Sequence, residues 1–208
     1  GKEFTGINQV WVSDITYYQI GDDFYYLTFI MDLFSRKIVG YSVSTRLLTG
    51  QTTLPALQMA LKLRRPTAGL IFHSDGGGQY YCKAFQEVTQ AHQMKNSMGE
   101  IVYENPYAER INGTIKNQYL KGYNPSDFAD LVKMTKRAIQ NYNRIRPHSS
   151  LKQMPPDAFE KLILAFGSSS ELIDFCNIRI TPVQNRKNQL IHMRSKQSNT
   201  VNKTVNVF

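Results

Sequence analysis

The 208 residues predict an α/β domain built on a mixed five-stranded sheet flanked by helices. Three observations carry that expectation. Three strand-like segments follow one another through residue 44 with only tight turns between them, the pattern of an antiparallel meander. Beyond residue 50, strand patterns alternate with helical ones, and strand–helix–strand order implies parallel pairing. Apolar residues make up 41% of the chain, enough for a sizeable core, yet no run approaches the roughly 18 residues of a membrane span.

The first strand is expected over residues 10–17, where Val10-Trp11-Val12-Ser13-Asp14-Ile15-Thr16-Tyr17 mixes apolar, aromatic and β-branched side chains. Gly21-Asp22-Asp23 reads as a turn. Residues 24–32 are nearly continuously apolar, as in a strand covered on both faces. Ser35-Arg36-Lys37 is a second tight connection, leading into a strand over 38–44. From residue 50 to 63 the period becomes helical, with Leu54, Leu57 and Leu61 on one side and Pro66 as the stop.

Leu70-Ile71-Phe72 reads as a fourth strand, residues 84–91 as a helix and residues 94–97 as a short fifth strand. Asn105-Pro106 is a good helix start, since Asn caps free amides and Pro tolerates the first turn. Ala108, Ile111, Ile115 and Tyr119 then mark an apolar stripe. A further helix is expected over 126–143. After Glu160 the pattern weakens. Gly167-Ser168-Ser169-Ser170 resembles a linker, a strand is possible within 172–183, and residues 185–206 are polar and basic. The division expected is therefore a core over 1–160 and a basic extension over 161–208.

Charge follows the same division. The chain carries +9, of which residues 161–208 hold 7 − 2 = +5 and the first 160 residues 18 − 14 = +4. Such a balance suits a polyanionic partner. Cys82 and Cys176 lack metal-ligand spacing, which favours a reducing compartment. Residues 1–4 do not open like a secretory leader, and a cytoplasmic location with no membrane association is expected.

The chemistry lies with three acids. Asp14 sits in a strand, Asp75 closes another just before three glycines, and Glu109 lies in the first turns of a helix. If the first and fourth strands are neighbours, Asp14 and Asp75 approach each other and the helix from Asn105 brings Glu109 across them. Acids that close repel and titrate together unless divalent cations neutralise them, and oxygen-only ligands favour Mg²⁺ or Mn²⁺. Lys116 follows Glu109 by seven residues, two turns, which puts both on one helix face about 10 Å apart. A solvated helix face would explain Glu109, Arg110 and Lys116 equally well, and a turn would explain Gly76, Gly77 and Gly78. His73 reads as a structural hydrogen-bonder.

Taken together, Trp11-Val12-Ser13-Asp14-Ile15-Thr16-Tyr17, Asp32-Leu33-Phe34-Ser35-Arg36-Lys37-Ile38-Val39-Gly40, His73-Ser74-Asp75-Gly76, Gln79-Tyr80, Ser97-Met98 and Glu104-Asn105-Pro106-Tyr107-Ala108-Glu109, closed by Tyr142-Asn143, Arg146-Pro147-His148-Ser149 and Pro155, form a set. The set resembles the catalytic core of bacterial insertion-sequence transposases, within the DDE superfamily that includes retroviral integrases. It covers roughly residues 7 to 160, in order. The resemblance implies a ribonuclease-H-like fold, an acidic triad of Asp14, Asp75 and Glu109 that is both catalytic and metal-binding, and Lys116 as a contact to DNA near the scissile end.

It further implies two Mg²⁺ (or Mn²⁺) ions per site, transposon-end and target DNA as partners, a homodimer or higher multimer, and N-terminal DNA-binding helices outside these 208 residues. The reaction expected is phosphodiester cleavage followed by 3′-OH strand transfer. Arg144, Arg146 and His148, and in the extension Arg186 and Lys187, are expected to face phosphates, with helix-end cations as the plainer reading of the first three. Two features depart from the pattern. Only 109 − 75 − 1 = 33 residues separate Asp75 from Glu109, a shorter interval than is usual, and Glu104 stands where Asp is common. A non-catalytic DNA-binding relative would lack one of the acids. A structure-specific nuclease of related fold would lack the signatures at 32–40 and 146–149.

Overall fold

A computed structural model describes residues 4–97 and 106–166. The five strands are β1 (Val10–Ile20), β2 (Asp23–Asp32), β3 (Ile38–Ser44), β4 (Ile71–His73) and β5 (Lys95–Ser97). They form one sheet in the order β3-β2-β1-β4-β5. β1, β2 and β3 pair antiparallel, whereas β1/β4 and β4/β5 pair parallel. The mixed sheet is thus present, and β1 lies beside β4 as the acids require.

Helices cover both faces. α1 (Thr53–Arg64), α2 (Gly78–Tyr81) and α3 (Lys83–Ala91) belong to the first part of the chain. α4 (Pro106–Gly113) runs directly into a π-helical stretch over Thr114–Leu120 and then α5 (Lys121–Tyr123). α6 (Phe128–Arg144) and α7 (Pro156–Phe166) complete the set. α6 starts at Asp127, whose side chain accepts from the Asp130 amide at 2.8 Å. α1 ends at Arg65 in the left-handed region, next to Pro66.

Strand alternation sorts the two cores. Val10, Val12, Phe29 and Met31 pack beneath Ala108, Ile111, Ile115, Leu131 and Ala138. Trp11, Ile30 and Val39 face the other way, against Ala56, Leu57, Ala60 and Phe85. A smaller cluster joins Phe34 to Leu151 and Phe159.

The pattern did not anticipate α2, the π-helical stretch, a 3-10 turn at Ser149–Leu151, or α7, which carries on past Glu160. α7 is held by charge more than by periodicity. Both Glu160 oxygens accept from Arg64 at 2.7 Å, and Ser35 and Lys37 add bonds of 2.7 and 3.0 Å. The neighbouring Asp32, fully buried, accepts from the Phe34 and Ser35 amides and from Asn8. The expected linker at 167–170, the possible strand within 172–183, and the Asn105 cap lie outside the described residues.

β3 and α1 touch at Gly40. A Cβ built there would stand 2.3 Å from the Ala56 carbonyl and 2.9 Å from the Ala60 Cβ. Gly40→Ala should therefore push α1 off the sheet, at a cost of about 2–3 kcal/mol. Thermal unfolding should drop by roughly 5–10 °C. A change within 1 °C would show that this contact yields freely.

Candidate active site

Val12 pairs with His73 across β1 and β4, and two residues on from each stand Asp14 and Asp75. Asp14 shares the Val12 face of β1, the face covered by α4. The end of α4 and the π-helical turn that continues it run alongside β1, so residues four apart on the helix meet residues two apart on the strand. Accordingly Asn112 Nδ2 donates to Asp14 Oδ2 at 2.8 Å, and four residues later Lys116 Nζ donates to Thr16 Oγ1 at 3.1 Å. The Lys116 ammonium also lies 4.8 Å from the centre of the Tyr17 ring. Its burial lowers the amine's pKa.

The Asp14 and Asp75 carboxylates have backbone donors. Asp14 Oδ1 accepts from the Ile15 amide at 2.8 Å, and Asp75 Oδ1 from the Gly77 amide at 3.1 Å. The glycines thus serve a turn: Gly76 adopts φ +79°, which favours a residue without Cβ, and Gly78 opens α2. Glu109 stands exposed in the first turn of α4. Below the acids, Ser13 points to the opposite face, where its hydroxyl meets Tyr80 Oη at 2.9 Å.

The three acids share an electrostatic field. Burial, then the charge of Asp75 and, more weakly, of Glu109 push Asp14 up to about 6, against the opposing Ile15 and Asn112 bonds. They do not share a ready ligand shell. Among the described residues no three of His, Cys, Asp and Glu are gathered closely enough to hold a metal ion as they stand. Close convergence of all three carboxylates was the expectation; instead Asp14 and Asp75 are held by separate donors and Glu109 is exposed, an arrangement that repulsion between like charges favours.

An acid whose folded pKa is raised stabilises the fold fully below its unfolded pKa, and that contribution is lost as pH rises through the folded value. In metal-free buffer the protein should therefore lose stability between about pH 4 and 7 through Asp14. Partial exposure screens the repulsion, so Asp14→Asn should restore about 1 kcal/mol at pH 7.5 and much less at pH 4. The new amide can donate to Asn112 Oδ1, which is buried without a partner. Denaturant melts across pH check this; equal shifts at both ends would remove Asp14 as the source.

The remaining sequence-derived candidates divide. Arg146 and His148 line a cleft of about 690 Å³ on the other side of α4, together with Arg36 and Arg110. Arg146 donates to Gln118, and the His148 ring meets Tyr142 edge-on at 5.0 Å. Burial and then the three arginines push His148 down to about 4, so it is a neutral imidazole near pH 7. Arg144 lies in the last turn of α6, the position of a helix-end cation, and does not line the cleft. His73 contacts the Ser97 hydroxyl at 3.4 Å. Arg186 and Lys187 lie outside the described residues.

Asn112 was missed, although a signal existed: positions 109, 112 and 116 recur at one-turn spacing on a single helix face. Among the described residues no helix is long and apolar enough to cross a membrane.

Comparison with known proteins adds to this geometry. Residues 5–102 match a family model described as Integrase core domain, and residues 92–156 match a second with the same description. The chain is 37% identical over 160 residues to the uncharacterized 31 kDa protein of insertion element IS600 from Shigella sonnei, covering 76% of this chain and 58% of that protein. It is 34% identical over 164 residues to the transposase InsF for insertion sequence IS3A of Escherichia coli, covering 77% and 57%. The chain thus spans less than two thirds of the length of these relatives.

Among solved structures it resembles the HTLV-2 integrase catalytic core domain in complex with magnesium, with TM-score 0.60 and 22% identity over 73% of this chain and 95% of that one. The catalytic core of BIV integrase gives 0.56 and 14% over 77% and 99%. At these identities the likeness is one of fold, the ribonuclease-H-like arrangement of a mixed sheet between helices.

Proposed function

The chain belongs to the integrase core domain family, and from that premise we propose that it is the catalytic core of a DDE transposase, a polynucleotidyl transferase acting on transposon-end and target DNA. Asp14 is the observation that supports this reading. Its pKa is raised by burial and by Asp75 and Glu109, residues distant in sequence. A repelling cluster of hard oxygen donors fits divalent Mg²⁺ or Mn²⁺, which would relieve that repulsion. The core runs through α7 to Phe166, past the expected boundary at residue 160, with the basic extension after it.

Bound at Asp14, Asp75 and Glu109, such ions supply polarisation of the scissile phosphate and offset the charge on its attacking and departing oxygens. The chain's own groups do the positioning. Asn112 and the Ile15 amide orient Asp14, and the Gly77 amide orients Asp75. Lys116, steadied by Thr16 and Tyr17, presents an ammonium to a phosphodiester lying along α4. Water attacks in donor cleavage and a transposon-end 3′-OH attacks in strand transfer, without a covalent protein–DNA intermediate. The side chains thus contribute orientation and charge. The working assembly is a dimer or higher multimer on DNA, with the location expected of a cytoplasmic, nucleoid-bound protein.

The test is a strand-transfer assay on the longer protein that includes the N-terminal DNA-binding portion, with the element's own terminal sequences as donor. Joined donor–target product in Mg²⁺ or Mn²⁺ is expected. Cleavage without joining would favour a structure-specific nuclease on the same fold, and DNA binding with neither reaction would favour a non-catalytic relative.

A further inference from the structure

The cleft behind α4 is built for an anion. Arg36 is 7% exposed, adopts φ 61°, and stacks its guanidinium 4.2 Å from the centre of the Tyr107 ring. Its Nη1 is buried with no hydrogen-bond partner, and so is His148 Nε2. Arg110 and Arg146 complete a group of three guanidiniums whose charge bears on one imidazole, while the cleft lining contains no carboxylate. Buried Asp32 offsets part of the Arg36 charge, but no carboxylate in the lining answers Arg110 or Arg146. Charge gathered in this way is costly unless something supplies a counter-charge. Planar guanidinium forks match phosphate oxygens, and the orphaned Arg36 and His148 nitrogens are donors or acceptors awaiting a ligand.

Position favours a nucleic-acid source. One face of α4 and the stretch after it presents Asn112 and Lys116 to Asp14 and Thr16 of β1. The other presents Arg110, Thr114 and Asn117 to the cleft. A strand crossing the acids has only the width of a helix to travel before reaching the arginines.

We infer that this cleft, lined by Arg36, Arg110, Arg146 and His148, is a second phosphate-binding site that holds one phosphate of a DNA strand while another phosphate lies at the acids. The DNA source rests on the transposase reading; the anion site itself does not.

The experiment uses the 208-residue chain in metal-free buffer, where binding is read apart from catalysis. Inorganic phosphate is titrated while the His148 ring is followed by NMR. A saturable shift is expected, weakened roughly 10-fold by Arg110→Gln and by Arg146→Gln. Arg110 is exposed, so its substitution should leave the fold intact, and amide spectra check this.

Single-stranded oligonucleotides carrying a 5′-phosphate or a 5′-hydroxyl then identify the source. A preference for the phosphorylated strand that Arg110→Gln removes assigns a terminal phosphate. Equal binding, weakened by both variants with a salt slope flatter by about 0.7 per lost contact, assigns an internal phosphodiester. No saturable shift, or phosphate binding that both variants leave intact, would overturn the site. Phosphate binding with oligonucleotide affinity unchanged in both variants would overturn the DNA assignment alone.

Discussion

Asp75→Asn should abolish DNA cleavage and end joining together, with a loss of more than about 100-fold, while DNA affinity stays within about twofold. The size follows from the role proposed for Asp75. Residues that merely support a metal ligand cost roughly 10–100-fold when changed, and a ligand should cost at least as much. Folding should not suffer, because Asp75 is exposed and an amide oxygen can still accept from the Gly77 amide. Removing the charge should also let Asp14 titrate closer to an ordinary carboxylate, since Asp75 is the largest charge raising it. DNA binding should persist because no cation is removed. Cleavage at the wild-type rate would show that Asp75 merely closes a turn, the plainer reading of an acid beside three glycines.

Glu160→Ala should produce the largest loss of stability, about 3–5 kcal/mol. Its carboxylate is nearly buried and receives both guanidinium nitrogens of Arg64, the Ser35 hydroxyl and the Lys37 ammonium. Burial alone would raise its pKa, yet Arg64, with Ser35 and Lys37, holds it below the usual value. Truncation strands Arg64 with only Asn8 at 2.9 Å and the more distant Asp32 at 3.9 Å. A lowered carboxylate pKa means stability present above the unfolded pKa and lost as pH falls through the folded one, so the wild type should also weaken in acid through this group. Urea melts of the single and double Arg64/Glu160 variants provide the measurement. A loss under 1 kcal/mol would mean that α7 docks through Phe159 and Leu151 instead.

Much of this fold can be read locally. Ile38–Ser44 is bounded by the predicted residues, and the switch from meander to alternating strands and helices foretells the parallel side of the sheet. That order alone does not place Asp14 near Asp75: the chain leaves β3, crosses β2 and β1 through α1, and returns as β4 on the far side of β1. What escaped was non-local. The signature residues Asp32, Ser35 and Lys37 look functional in sequence, but they build a buried junction with Arg64 and Glu160, and pairings across 96 and 125 positions leave no periodic trace. The π-helical stretch is equally silent, since its apolar residues fit an α-helical stripe. Arg36 reads as a turn cation and is instead buried at the mouth of a cleft, where only the packed helices disclose its neighbours.

Diffraction from crystals soaked in Mn²⁺, with the anomalous signal of the ion mapped, tests the acidic site most directly. The expected result is manganese between Asp14 and Asp75, with the Asp14 carboxylate ionised and oxygen distances of about 2.0–2.6 Å. Glu109 should turn in toward the same ion or a second one. Manganese bound elsewhere, with the Asp14 and Asp75 carboxylates more than about 8 Å apart at saturating metal, would contradict a shared catalytic metal site.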